Sequence, residues 1–182
     1  MFLVATAPLA GDGHVNVSPK GMAGTFAVLD QYRVGYLDYF GSGAETIAHL
    51  RENGRITLMF TAFAGRPSIV RLYGRGRAVL VDDPEFAELR GRFSKSRTVG
   101  QRCVIVVELD RVQESCGYSV PLLDFVADRN VHDLHQLKKG PAEYEGRGHI
   151  KNPVSIDGLP ALAGLAENNS PRTRARRPPA SR

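Results

Sequence analysis

The stretch Tyr36–Arg55, YLDYFGSGAETIAHLRENGR, changes period in its middle. Before Gly41, the residues Val34, Tyr36 and Asp38 alternate with Gly35 and Leu37, which predicts a strand over Arg33–Asp38. After it, Ala44, Ile47, Ala48 and Leu50 recur at helical spacing, and Asn53-Gly54 supplies a left-handed stop. Ser42, with Glu45 three residues on, matches a Ser-x-x-Glu capping box, which stabilises a helix by about 1 kcal/mol. The same helix start can also seat an anion. Its unpaired N–H groups and the positive end of its dipole favour a phosphate, Gly41 and Gly43 let backbone approach closely, and Ser42 and Thr46 offer hydroxyls. The stretch lacks the Lys-Ser/Thr ending of a nucleotide-triphosphate loop and is not Gly-x-Gly-x-x-Gly. Glu45 would repel a phosphate unless its carboxylate folds back onto the cap. Both readings stand on these residues.

Outward from this stretch the chain is written mostly in strand grammar. Val4–Thr6 and His14–Ser18 form a hairpin across Gly11-Asp12-Gly13, with Val15 and Val17 on one face and His14, Asn16 and Ser18 on the other. Arg55–Phe63 alternates Ile56, Leu58 and Phe60 with Thr57, Met59 and Thr61. Past the turn at Gly65-Arg66-Pro67, a long strand runs from Ile69 to Val81, with Arg71, Tyr73, Arg75 and Arg77 on one face. Asp83 as cap and Pro84 at the first helical position predict a second short helix carrying Phe86, Leu89 and Phe93 on one side. Arg102–Val112 contains CVIVVEL, apolar enough for a buried strand. Pro121–Leu137 reads equally as a short helix or as irregular wrapping. Six strands and two inserted helices, joined by turns too short for parallel crossovers, predict a mainly β, barrel-like fold.

Length, charge and cysteine usage narrow the class. A chain of 182 residues suits one domain, and no apolar run reaches the roughly 18 residues of a membrane helix. MFLVATAPLAG has no basic start and reads as a first strand instead of a secretory leader. The net charge of +5 resides mainly in residues 167–182, where five arginines face one glutamate. That Arg/Pro-rich tail reads as disordered and solvated, so neither a membrane nor a specific nucleic acid is expected as partner. Cys103 and Cys116 have neither metal-ligand spacing nor a disulfide framework, which suits a cytoplasmic protein. Among the histidines, His132 and His135 read as a surface pair and His49 as a partly exposed helical residue. No histidine has a HExxH motif or a paired nucleophile beside it, so no metal site is expected.

Two further clusters could carry chemistry. HVNVSPKG sets a hydroxyl, Lys20 and two chain-breaking residues at one strand end, where Lys20 can meet a phosphate or an electron-rich ring. The Arg71, Tyr73, Arg75, Arg77 row is either the solvent side of a strand or a face for an anion.

Taken in order, VATA, HVNVSPKG, RVGYLDYFGSGAETIAHLRENGRITLMF, IVRLYGRGRAVL and SCGYSVP resemble the pyridoxamine 5'-phosphate oxidase-like proteins with the FMN-binding split barrel. The match runs over about Phe2–Leu123 and is closer to an oxidase-related actinobacterial and cyanobacterial branch than to the vitamin-making enzyme. The resemblance implies a six-stranded split β-barrel over residues 1–123, a wrapping segment of the same domain over 124–166, and the tail over 167–182. It implies a homodimer with FMN in clefts between subunits, acting as an FMN-dependent oxidoreductase on a small-molecule substrate. It also implies a site. Asn16, Val17, Ser18 and Lys20 would lie along the isoalloxazine and ribityl chain. Asp38, Tyr39, Gly41 and Ser42 would continue along the cofactor, with Ser42, Gly43 and Thr46 nearest its phosphate. Arg71 and Tyr73 lie on the strand that helps line the cleft, from the same subunit or its partner. No catalytic acid or base is implied. Gly-Ser-Gly stands where vitamin-making oxidases carry Ser-Arg-Lys, so the usual cationic grip on the phosphate is missing. A deazaflavin coenzyme on the same barrel, or a non-catalytic flavin- or haem-related binding or stress protein, are the alternatives. Relatives commonly have a helix before the first barrel strand, so an N-terminus upstream of Met1 is also expected.

Overall fold

The computed structural model describes residues 1–144 and 152–162. Its strands are β1 (Phe2–Thr6), β2 (Asn16–Lys20), β3 (Phe26–Val28), β4 (Arg33–Tyr39), β5 (Arg55–Thr61), β6 (Ile69–Leu80) and β7 (Gln101–Ser115). The helices are α1 (Glu45–Glu52), α2 (Phe86–Arg90) and α3 (Val131–Lys139). All seven strands form one antiparallel sheet in the order β2-β1-β5-β6-β7-β4-β3.

The sheet curls on itself. Phe2 on β1 and Phe26 on β3 stand five strands apart in sheet order, which at about 4.8 Å per strand would separate them by roughly 24 Å in a flat sheet. Their ring centroids are instead 5.4 Å apart. Tyr36 and Phe60 complete this aromatic cluster, with Phe2–Tyr36 at 5.6 Å and Phe26–Phe60 at 5.0 Å. No ladder joins the edge strands β2 and β3, so side chains close the seam. This is the split-barrel architecture with one strand more than expected. The additional strand, β3, is a three-residue segment in GTFAVLD, too short to display a period.

Two apolar layers hold the sheet. Inside the curl, Phe2, Val4, Tyr36, Ile56, Leu58, Cys103, Ile105 and Val107 pack with Ala44, just before α1, and with Ile47, Ala48 and Leu50 of α1. Outside it, Leu29, Leu37, Val79, Val104 and Val106 are covered by Phe93, Phe86 and Leu89 from the α2 region. Residues 103–107 of β7 are buried on both faces, which is why CVIVVEL reads as an unbroken apolar run.

The ends of the helices divide between expectation and correction. Gly54 takes φ 72° and donates to Leu50 O at 3.1 Å, the left-handed stop that Asn53-Gly54 predicts. The capping box is absent. α1 starts at Glu45, and neither Ser42 nor Glu45 caps it. Glu45 Oε2 instead accepts a hydrogen bond from the backbone N–H of Ile156 at 3.0 Å, so a tertiary donor has replaced the local one. Asp83 likewise does not cap α2, whose first residue is Phe86. Its carboxylate accepts from Leu80 N–H at 2.7 Å and closes the turn after β6.

Residues 121–130 carry no regular secondary structure and α3 follows them, so the segment that reads equally as helix or irregular chain is irregular first and helical after. Residues 152–162 return to the barrel and bury Ala161 and Leu162 in the inner core. The tail at 167–182 lies outside the described residues. No helix among those described is long and apolar enough to cross a membrane.

Candidate functional site

A cleft of about 940 Å³ opens where the end of β2, the loop between β4 and α1, the start of β7 and the 123–132 segment converge. Nine residues singled out by sequence line it: Asn16, Ser18, Lys20, Asp38, Tyr39, Gly41, Ser42, Gly43 and Thr46. Three do not. Val17 alternates to the opposite face of β2 and is 59% exposed. Arg71 donates to Ser115 Oγ at 2.9 Å and the Tyr73 hydroxyl to Gln113 Oε1 at 3.2 Å, both on the β6–β7 ladder and away from the cleft of this chain.

The floor of the cleft holds a buried ion cluster. Asp38, only 4% exposed, accepts from Lys20 Nζ at 3.0 Å on Oδ1 and from Arg102 Nε at 2.7 Å on Oδ2. Burial alone would push the Asp38 carboxyl up; the Arg102 and Lys20 charges and their hydrogen bonds outweigh it and hold it below its ordinary value. Two cations on one carboxylate leave a surplus positive charge. Arg102 also donates to Gly43 O at 3.2 Å, tying the glycine loop to β7. Arg102 is therefore a site residue that sequence reading missed. Its signal was a charged residue leading straight into CVIVVEL, a position where an arginine must find a buried partner. The positive charge that Gly-Ser-Gly lacks in sequence is supplied from the barrel floor.

The glycine loop is open toward the cleft. Neither Gly41 nor Gly43 has positive φ. A Cβ at Gly41 would meet nothing nearer than Tyr39 O at 3.9 Å, and one at Gly43 nothing nearer than Glu45 Oε1 at 3.6 Å. The chain's own packing does not require glycine at these two positions, and side chains here would occupy the cleft.

A polar chain runs from Ser18 on β2 to the first turn of α1 and to His49. Ser18 Oγ donates to Asn16 Oδ1 at 3.0 Å, and Asn16 Nδ2 donates to Thr6 Oγ1 and to Thr46 Oγ1, each at 3.2 Å. Thr6 Oγ1 is 2.9 Å from His49 Nδ1. The expectation of a partly exposed His49 is corrected: it is 1% exposed, because the apolar stripe of α1 faces the barrel on both sides of it.

His132 departs from the expected surface pair as well. Its Nε2–H donates to Phe40 O at 3.1 Å and its ring lines the cleft, while His135 points to solvent. Among the described residues no group of His, Cys, Asp and Glu could hold a metal ion. Burial, and then the nearby Asp38 carboxylate, push the Cys103 thiol well up, so it remains an un-ionised core residue. The outer wall is apolar and exposed, with Leu123, Phe125 and Ala127 beside Asp124, Asp128 and Arg129.

A family model described as "Pyridoxamine 5'-phosphate oxidase" matches residues 1–116. The pyridoxamine 5'-phosphate oxidase family protein ustO of Aspergillus flavus is 42% identical over 176 residues, covering 89% of this chain and 70% of the relative. Among solved structures, an FMN-binding protein from Syntrophomonas wolfei is 17% identical, covers 68% of this chain and 78% of its own, and has a TM-score of 0.47. HupZ of Group A Streptococcus is 18% identical, covers 61% and 81%, and has a TM-score of 0.44. Overlaps of this size bear on no residue of the cleft.

Proposed function

The chain belongs to the pyridoxamine 5'-phosphate oxidase family, and on that premise we propose that it is a flavin-dependent oxidoreductase that holds FMN in the 940 Å³ cleft. The observation that carries this reading is the pairing of an open glycine cradle at Gly41 and Gly43 with a surplus positive charge at Lys20, Asp38 and Arg102. The cleft is at the upper end of the roughly 300–1,000 Å³ usual for small-molecule sites, ample for a mononucleotide.

The residues fit a phosphate and the polar chain that leads away from it. The main chain of Gly41–Gly43 and the first turn of α1 line the cleft and would offer N–H groups to a phosphate, with Ser42 and Thr46 as hydroxyl partners. Lys20 and Arg102 add the charge that favours an anion there. Asn16, whose Nδ2 donates to Thr46 Oγ1, and Ser18 would continue from there along the ribityl chain toward the flavin edge. When bound, the flavin supplies the hydride chemistry, and the protein supplies position, charge and exclusion of water. Un-ionised Cys103 takes no part.

The subunit is proposed to work as a homodimer. The segment that forms the outer wall of the cleft leaves Leu122 81%, Phe125 80% and Val126 93% exposed, an apolar ribbon that a second subunit would cover. Covering it would also close the cleft against solvent.

The test is anaerobic mixing of the FMN-loaded protein with NADH or NADPH, followed through the visible absorption of the oxidised flavin. Bleaching by either donor is the expected result. A protein that binds FMN and is reduced by neither donor would instead be a flavin carrier or sensor.

A further inference from the structure

The polar chain that ends at His49 has a direction, and the direction fixes what Ser18 offers to the cleft. Thr6 Oγ1 has two hydrogen-bond neighbours among the described residues, Asn16 Nδ2 and His49 Nδ1. Asn16 Nδ2 is a donor only, so the single proton of the Thr6 hydroxyl goes to His49 Nδ1. That nitrogen is then an acceptor, and the ring proton sits on Nε2, which has no hydrogen-bond partner among the described residues. With both Asn16 amide protons taken by Thr6 and Thr46, Oδ1 faces Ser18 and accepts the Ser18 proton. Ser18 therefore turns only lone pairs toward the cleft.

A protonated His49 reverses every link. Nδ1–H then donates to Thr6 Oγ1, and the Thr6 proton needs an acceptor. Asn16 supplies one by turning Oδ1 toward Thr6 and Thr46, whose hydroxyl then donates to it, and Nδ2 toward Ser18. The Ser18 hydroxyl then keeps its proton and turns it toward the cleft. No proton travels along the chain; one is bound at His49, and the hydroxyls and the amide reorient.

We propose that His49, Thr6 and Asn16 form a polarity relay in which buried His49, out of reach of any ligand, sets Ser18 as an acceptor toward the cleft. His49 is thus a positioning residue, and the neutral state selects a ligand edge that carries an N–H donor, as an imide or amide does. This rests on the reading of the cleft as a flavin site. Burial lowers the His49 pKa from its ordinary value of 6.5, against the opposing pull of Glu45 on its own helix, Asp157 from the returning segment and Glu52. The neutral state accordingly prevails at neutral pH. Selection for the N–H edge is lost as pH falls through the lowered pKa.

Two measurements test the relay. The first is ¹⁵N NMR of the His49 ring in the folded protein without ligand. At neutral pH the Nε2–H tautomer is expected, and an Nδ1–H tautomer would overturn the relay whether or not flavin binds. The second is FMN affinity by fluorescence quenching from about pH 7 to about pH 5, compared between the wild type and Thr6→Val. The valine cuts the hydroxyl link between His49 and the cleft and keeps the FMN phosphate and the ionisable groups outside the relay, so their contributions cancel in the comparison. Acidification should weaken binding about five- to tenfold more in the wild type than in Thr6→Val. Ser18→Ala should flatten the profile in the same way. Equal slopes in the wild type and Thr6→Val, even with weaker overall binding in the variant, would reduce these residues to a structural role. A wild type that takes up no FMN would sink the flavin reading and leave the tautomer to decide the relay.

Discussion

Asp38→Ala lowers the stability of the folded protein by about 3–5 kcal/mol, because it strands the Arg102 guanidinium where only 5% of it reaches solvent. Lys20 is 25% exposed and can swing outward; Arg102 cannot. The order of effects is therefore specific: Asp38→Ala is severe, whereas Lys20→Met, which leaves the Arg102–Asp38 pair intact, costs about 1 kcal/mol. Urea denaturation of the three proteins at neutral pH checks the ranking. The pH dependence follows from the same carboxylate. Its folded pKa is depressed, so its contribution is complete above the unfolded value near 3.8 and is lost as pH falls from there through the folded pKa. The stability of the wild type should drop over that acid range more steeply than that of Asp38→Asn. A stable Asp38→Ala protein with an unchanged acid limb would mean that the ion cluster does not hold the folded state together.

The second large effect concerns binding and leaves stability alone. Replacing both Gly41 and Gly43 by valine should weaken FMN binding by about a hundredfold or more, roughly 2.7 kcal/mol. The folded state should tolerate the change to within about 0.5 kcal/mol. The expectation rests on space: Cβ atoms at these positions meet only ordinary contacts of 3.6 and 3.9 Å within the chain, and neither backbone is left-handed. The glycines are free for a ligand to approach, and side chains would take that room. Paired urea and fluorescence titrations separate the two quantities. Unchanged FMN affinity would place the cofactor elsewhere, and a collapse of stability would show that the loop packs more tightly than its geometry indicates.

What the sequence made legible follows from whether each signal was local. The left-handed stop at Gly54 and the alternation of β5 and β6 are written in neighbouring residues, and they appear where expected. Nine of the singled-out residues line one cleft, and on β2 the reason is local: Asn16, Ser18 and Lys20 alternate onto one face and Val17 onto the other. The Ser42 and Glu45 cap was lost to a donor at Ile156, 111 residues away, which no local motif announces. Arg102 pairs with Asp38 across 64 positions, so the cleft looked short of positive charge until the strands were in register. His49 was misread for a related reason. A histidine in an otherwise apolar stripe is explained only once Thr6, from a different strand, is found facing its ring. The outer wall at 123–132 has no periodicity and takes shape through contacts such as Leu123 N–H donating to Phe63 O at 2.9 Å.

The charge balance in the cleft also bears on partners. The net charge of +5 is concentrated in the tail, whereas the cleft joins one surplus positive charge at Lys20, Asp38 and Arg102 to a rim that carries Glu45, Asp124, Asp128 and Arg129. A site of that balance suits a ligand with a single anionic end and a neutral body. Inorganic polyanions would meet carboxylates around the rim.

The central claim is that this cleft binds a flavin mononucleotide, and the most direct test is a fluorescence titration of FMN with the purified wild-type protein at neutral pH. The account predicts saturable quenching with one FMN per chain at micromolar or tighter affinity. FMN that stays fully fluorescent at about 100 µM protein, an affinity no tighter than about −5.5 kcal/mol, would contradict it.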